Sequence, residues 1–161
     1  MVSKSVTEIN IVLIRGLSRQ QAHWGDFSEC LKRTLASEGI KANLFYQDLP
    51  GFGERNHVRS PSSITKIAEL LQPAIEKITD KCGQKVHLLG ISMGGMIALE
   101  LARRFPEHCH SLVMINSSVK PISPFYHRLQ PRSYNAILTA WFHPVMRKSE
   151  AAILRASSQL Y

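Results

Sequence analysis

The sequence VHLLGISMGG, residues 86–95, decides the fold of this chain. It places a G-x-S-x-G motif, with Ser92 between Gly90 and Gly94, directly after an apolar run typical of a buried strand and before a stretch with helical periodicity. A serine in so tight a turn adopts a strained backbone conformation, and the two glycines remove side chains that would clash with the sheet and the helix. The motif therefore predicts a serine hydroxyl that projects above the carboxyl ends of a parallel sheet.

The position of this serine at the start of a helix has a chemical consequence. Free amide N–H groups and the positive end of the helix dipole favour a developing negative charge there. The amide of Met93 is thus a candidate donor to an oxyanion. A purely structural interpretation is the alternative, because small residues such as Gly94 and Gly95 also allow a helix to pack closely on a strand.

Strand-like and helix-like segments alternate on both sides of the motif. The predicted strands cover 10–14, 41–46, 86–89 and 111–115, and the predicted helices cover 24–38, 61–82 and 93–105. This order predicts an α/β fold with a doubly wound, mostly parallel sheet and helices on both faces. After residue 116 the alternation stops, and two short helices are predicted at 134–142 and 150–160.

Composition narrows the class of protein. The 161 residues include 44% hydrophobic ones and give a formal net charge of +8, which suits a globular domain rather than a disordered chain. No apolar run reaches the roughly 20 residues of a membrane span, so we expect a cytoplasmic protein. The basic residues are scattered rather than clustered, so we expect no nucleic-acid partner. Three cysteines without metal-ligand spacing predict buried, reduced thiols.

Three segments together resemble the α/β-hydrolase superfamily, in particular its small bacterial carboxylesterase-like members. The first is the motif around Ser92, which is similar to the family's nucleophile elbow. The second is RGL at 15–17, which follows the first strand where the family has His-Gly-aromatic. The third is DLPGFG at 48–53, which is similar to the family's D-x-P-G-x-G loop. Trp24 stands where the family often has an aromatic residue.

The resemblance implies a serine hydrolase that acts on small carboxylic esters or thioesters. Ser92 would attack the carbonyl carbon, the amides of Leu17 and Met93 would hold the oxyanion, and water would hydrolyse the acyl-enzyme. Neither a metal nor an organic cofactor is implied, since the chain has no metal-ligand spacing and no glycine-rich phosphate-binding motif.

The family's catalytic acid and base have no clear counterpart. In this family the order along the chain is Ser, then Asp or Glu, then His, but all three aspartates, Asp26, Asp48 and Asp80, precede the nucleophile. Glu100 and Glu107 lie in or just after the helix that follows it. The histidines predicted at the correct end of the sheet are His23, His57, His127 and His143. Glu150 with His127 or His143 offers a substitute pair.

We therefore expect the N-terminal part of the family's fold, truncated after the fourth strand and the start of a cap, with a core at 1–118 and a helical cap or excursion at 119–161. A fourth strand without a neighbour predicts self-association through the sheet edge. Two other functions stay open. One is a non-catalytic binding module that keeps the fold without the triad, and the other is an acyltransferase or peroxidase-type relative with the same elbow.

Overall fold

The computed structural model describes residues 6–119. Strands and helices alternate there in the predicted order: β1 Thr7–Ile14, α1 Phe27–Ser37, β2 Ile40–Gln47, α2 Ile64–Cys82, β3 Val86–Ile91, α3 Met93–Arg104 and β4 Cys109–Ile115. The predicted helices at 134–142 and 150–160 lie outside the described residues, and so does the predicted cap or excursion at 119–161 except for residue 119.

The four strands form one parallel sheet in the order β2-β1-β3-β4. This confirms the predicted α/β architecture. All four strands point the same way, so their carboxyl ends meet at one edge, and the loops that follow β1, β2, β3 and β4 are neighbours. Within residues 6–119, β4 has no strand along its outer side. Self-association through that edge stays a prediction.

Helices cover both faces of the sheet, as the alternation predicts. On one face α2 and α3 pack against alternate residues of β1 and β3, including Val12, Ile14 and Leu88, all fully buried. On the other face α1 packs with Leu31 and Leu35 against a cluster that contains Leu13, Leu89 and Trp24. Each fully buried aliphatic side chain stabilises the fold by about 1.5–3 kcal/mol.

The second face is covered unequally. Helix α1 contacts β2, and on the part of this face formed by β4 the side chains of Val113 and Ile115 are 49% and 39% exposed. Val113 is paired with Leu89 and Ile115 with Ile91. The apolar pattern of β4 therefore continues beyond the surface that α1 buries.

The start of α1 differs from the prediction. Trp24 closes a short 3-10 turn, Gln21–Trp24, and α1 begins at Phe27. Gly25 separates the two with φ of +48°, which lies outside the right-handed helical region. The C-terminus of helix α2 agrees with the prediction. This helix ends before Gly83, which adopts the left-handed conformation with φ of +62°.

The cysteine prediction is correct for the chemical state and wrong for burial. Cys30, Cys82 and Cys109 are all free thiols, but Cys30 is exposed and the other two are partly buried. Cys30 faces outward from α1, where its Sγ accepts a hydrogen bond from Arg33 at 3.2 Å. In the part of the chain that the structure describes, no helix has the length and apolar character that a bilayer crossing requires.

Candidate active site

Ser92 lies at the turn between β3 and α3, as the motif predicts. Its backbone angles, φ +57° and ψ −120°, place a non-glycine residue in the positive-φ region, which L-amino acids rarely adopt. The Ser92 N–H donates to the carbonyl of Ile115 at 2.9 Å, so β4 holds the turn from the neighbouring strand. The turn places the Ser92 side chain at the edge where the strands end.

The two glycines of the elbow, residues 90–94, allow close backbone approach. A Cβ added to Gly90 would collide with the backbone of Gly94 and Gly95. A Cβ added to Gly94 would collide with the carbonyl groups of Ile14 and Arg15 at the end of β1. Both positions therefore require glycine because a side chain would collide with the neighbouring backbone.

The turn that follows β1 lies directly beside Ser92. A Cβ built on Gly16 would lie 3.1 Å from the Cβ and 3.6 Å from the hydroxyl oxygen of Ser92. Leu17, the next residue, is 58% exposed. The amide of Met93 belongs to the peptide that follows Ser92. The structure thus brings the two segments that contain the candidate oxyanion donors, Leu17 and Met93, next to the candidate nucleophile.

Arg15, at the position where the family that the sequence resembles usually has histidine, places its guanidinium over an aromatic ring. Its guanidinium carbon lies 4.9 Å from the centroid of the Trp24 indole, within the range of a cation–π contact. Trp24 is 4% exposed and its ring also contacts that of Phe27 at 5.3 Å. The contact joins the turn after β1 to the start of α1.

The DLPGFG loop is bonded to the 3-10 turn Gln21–Trp24 through a buried carboxylate, a contact that was not predicted from the sequence. One oxygen of Asp48 accepts from the Gln21 N–H at 2.7 Å and the other from the Glu54 N–H at 3.1 Å. Asp48 is 8% exposed. A Cβ on Gly53 would overlap this carboxylate, so glycine is required beside it. The family-like loop could have suggested a structural role, but not these partners.

Ser117 is a second residue that the sequence analysis missed. Its hydroxyl donates to the carbonyl oxygen of Ser92 at 2.7 Å. Nothing in the local pattern of residues 116–118 indicates this bond. One signal was available: a small polar residue follows β4 at the same sheet edge as the elbow.

Three histidines of the described segment have hydrogen-bond partners other than Ser92. The His23 ring accepts from the Gln20 N–H at 3.0 Å, His87 is hydrogen-bonded to Ser111 at 2.8 Å, and His108 to Thr79 at 3.1 Å. His57 is exposed in the loop after β2. His127 and His143 lie outside the described residues. The structure therefore brings none of these described histidines into a hydrogen bond with Ser92.

Two acidic residues that follow the elbow, Glu100 and Glu107, also have other partners. Glu100 is hydrogen-bonded to Arg103 at 2.8 Å and to Thr65 at 3.1 Å, and the Arg103 hydrogen bond is the main reason that the pKa of Glu100 is lowered. Glu107 lies 3.8 Å from His108. Glu150 is outside the described residues. Residues 6–119 hold no group of three or more His, Cys, Asp or Glu that could bind a metal ion.

Comparison with protein families gives one match over most of the chain. The model of the alpha/beta hydrolase fold family matches residues 10–152, which include the elbow, the turn after β1 and the DLPGFG loop.

Curated relatives include two named hydrolases. The pimeloyl-[acyl-carrier protein] methyl ester esterase of Aeromonas salmonicida is 34% identical over 109 residues, which are 68% of this chain and 38% of that protein. The 2-hydroxy-6-oxononadienedioate/2-hydroxy-6-oxononatrienedioate hydrolase 1 of Pseudomonas putida is 27% identical over 116 residues, 71% of this chain and 39% of that protein. The matched part of the chain therefore spans about two fifths of these relatives.

Solved structures with similar folds agree in architecture. A peroxisomal alpha-beta-hydrolase from Saccharomyces cerevisiae has a TM-score of 0.62 at 19% identity, over 84% of this chain and 40% of that one. A hydrolase from Pseudomonas aeruginosa has a TM-score of 0.61 at 18% identity, over 91% of this chain and 49% of that one. At these identities the similarity shows the fold alone.

Proposed function

The chain belongs to the α/β-hydrolase fold family, and from that premise we propose that it hydrolyses small carboxylic esters or thioesters through a Ser92 acyl-enzyme. The conformation of Ser92 carries this proposal. A serine at φ +57°, at the first turn of α3 and beside the Gly16 turn, presents its hydroxyl where two amides can meet a reacting carbonyl. The names of the two curated relatives, an ester esterase and a hydrolase, support the same class of reaction.

The proposed reaction has two steps. The Ser92 oxygen attacks the carbonyl carbon, its proton passes to a general base, and the amides of Leu17 and Met93 donate to the oxyanion of the tetrahedral intermediate. Collapse of that intermediate breaks the ester or thioester bond, and the leaving alcohol or thiol takes up the proton. Water then attacks the acyl-enzyme by the same route and releases the carboxylic acid. We place the base and its orienting carboxylate outside residues 6–119.

A fluorophosphonate probe tests the proposed nucleophile without knowledge of the substrate. The probe should phosphonylate Ser92 in the folded chain, and peptide mapping by mass spectrometry should locate the adduct there. Ser92→Ala should abolish labelling. Ser111→Ala is the matched control, because Ser111 is bonded to a histidine, His87, but lies on β4 outside the elbow. This control variant should be labelled like the parent chain.

A folded sample that the probe leaves unmodified would refute the hydrolase proposal for this chain. The non-catalytic binding module would then be the better interpretation of the same fold. Circular dichroism on the tested sample establishes that it is folded. Labelling that persists in Ser92→Ala would refute the assignment of the nucleophile.

A further inference from the structure

The last residue of β4 and the segment that follows it contact the elbow at both polar groups of the Ser92 backbone. The Ile115 carbonyl accepts from the Ser92 N–H at 2.9 Å, and the Ser117 hydroxyl donates to the Ser92 carbonyl at 2.7 Å. Between these two residues Asn116 has φ of +46°, so the chain turns sharply there. Residues 115–117 thus hold the turn from the side opposite β1.

The Ser117 bond is the shortest of the hydrogen bonds to that carbonyl. Helix α3 also contributes donors to the same oxygen, the N–H groups of Gly95 at 3.1 Å and Met96 at 3.4 Å. A backbone conformation as unfavourable as that of Ser92 persists only when its surroundings fix it. The Ser117 hydroxyl supplies such a contact from outside the elbow and its helix.

The carbonyl of Ser92 and the N–H of Met93 belong to one peptide unit. Because that unit is planar and trans, its C=O and N–H point in opposite directions and cannot rotate independently. A hydrogen bond that fixes the carbonyl oxygen therefore also fixes the direction of the Met93 N–H. This amide is one of the two oxyanion donors in the proposed function.

Gly95 provides the space for this contact. A Cβ on Gly95 would lie 2.6 Å from the hydroxyl oxygen and 2.7 Å from the Cβ of Ser117, closer than real side chains approach. The G-x-S-x-G motif does not include Gly95. Its missing side chain is explained by the need to admit Ser117.

We propose that Ser117 is a positioning residue that directs the Met93 amide toward the oxyanion through its hydrogen bond to the Ser92 carbonyl. The inference rests on the proposed function, since the amide has a catalytic role only if Ser92 is a nucleophile. It gives Ser117 no contact with the substrate. The expected effect is therefore on the rate of bond formation at Ser92 and not on binding of the probe.

The test compares three substitutions by their fluorophosphonate labelling kinetics. Ser117→Ala should lower the maximal labelling rate constant about tenfold or more, because a misdirected donor stabilises the phosphonyl oxygen less well. Ser117→Thr keeps the hydroxyl and should restore most of the rate. Ser118→Ala is the matched control: Ser118 is 7% exposed, and no partner of its hydroxyl is found within the described segment. It should label like the parent chain.

Three kinetic results would overturn the inference: an unchanged rate in Ser117→Ala, a Ser117→Thr rate as low as that of Ser117→Ala, or equal losses in Ser117→Ala and Ser118→Ala. Amide hydrogen exchange followed by NMR distinguishes failure of the Ser117 inference from failure of the proposed function. Even if the parent chain is not labelled, Ser117→Ala should speed exchange at Ser92 and Gly95 while Ser118→Ala does not. Unchanged exchange in Ser117→Ala would refute the contact itself.

Discussion

Ser92 combines a chemical advantage with a conformational cost. The turn that places Ser92 at the carboxyl end of the sheet forces a β-carbon into the positive-φ region, which costs about 1–3 kcal/mol. The angles φ +57° and ψ −120° are the mirror image of an extended conformation that glycine adopts freely. Any residue other than glycine at this position therefore lowers the stability of the folded chain.

Two substitutions at this position isolate the strain. Ser92→Gly and Ser92→Ala both remove the hydroxyl, but alanine keeps the β-carbon. We expect Ser92→Gly to have the higher free energy of unfolding by about 1 kcal/mol, after the larger entropy of unfolded glycine is taken into account. Urea unfolding of the two variants measures the difference. Equal stability, or a more stable alanine variant, would contradict the assigned conformation.

Distance along the chain explains which site residues could be predicted from the sequence. The elbow is predictable because strand, glycine spacing and helix are contiguous at 86–105. The hydrogen-bond partners of Asp48 and Ser117 are not predictable in this way. The bond from Gln21 to Asp48 spans 27 residues and the bond from Ser117 to Ser92 spans 25, so each depends on how the strands are ordered in the sheet.

At the scale of elements, the close packing of α3 against the end of β1 determines the geometry of the site. Gly94 lies in the first turn of α3 and faces the carbonyl groups of Ile14 and Arg15. Intrinsic helix propensity alone would favour alanine over glycine there by about 1 kcal/mol. The tertiary contact opposes that preference. Whether Gly94→Ala raises or lowers the free energy of unfolding therefore shows whether helix propensity or the tertiary contact dominates.

Gly94→Ala should lower the free energy of unfolding by about 3 kcal/mol, because backbone must move to admit the new methyl group. Gly83→Ala is the control. Gly83 ends α2 at φ +62° with open space around it, so alanine there should cost only about 1 kcal/mol of strain. Urea unfolding again supplies the measurement. A Gly94→Ala variant as stable as the parent chain would show that α3 does not pack this closely.

The elements were more predictable than their ends. Every predicted strand and helix at 10–115 is present, because apolar periodicity reports which face is buried. Strand β1, however, begins at Thr7 rather than residue 10, since Thr7 pairs with Ile40 of β2 although its side chain is exposed. Backbone hydrogen bonding between strands cannot be detected in a hydropathy pattern. The apolar stripe that placed Trp24 in α1 likewise continues through the break at Gly25.

At the scale of the molecule, as far as residues 6–119 describe it, the two faces of the sheet differ in how completely helices cover them. On the face that α1 covers in part, His87 of β3 lies beside His110 of β4, with ring centroids 4.6 Å apart. His87 is also hydrogen-bonded to the Ser111 hydroxyl. Burial, and secondly the charge of a protonated His110, lower the pKa of His87 below its ordinary value of 6.5. His87 therefore binds a proton less readily in the folded chain than in the unfolded chain.

This difference makes stability depend on pH in one direction. Well above pH 6.5 His87 is neutral in both states. As the pH falls through 6.5 the unfolded state gains the proton first, so stability decreases until the folded state is protonated too. We expect the parent chain to lose more stability between about pH 7.5 and about pH 5.5 than His87→Gln does. Urea unfolding at both pH values measures this, and His57→Gln, which changes an exposed loop histidine, should behave like the parent chain. If His87→Gln and the parent chain lose equal stability on acidification, the lowered pKa of His87 does not account for the pH dependence of stability.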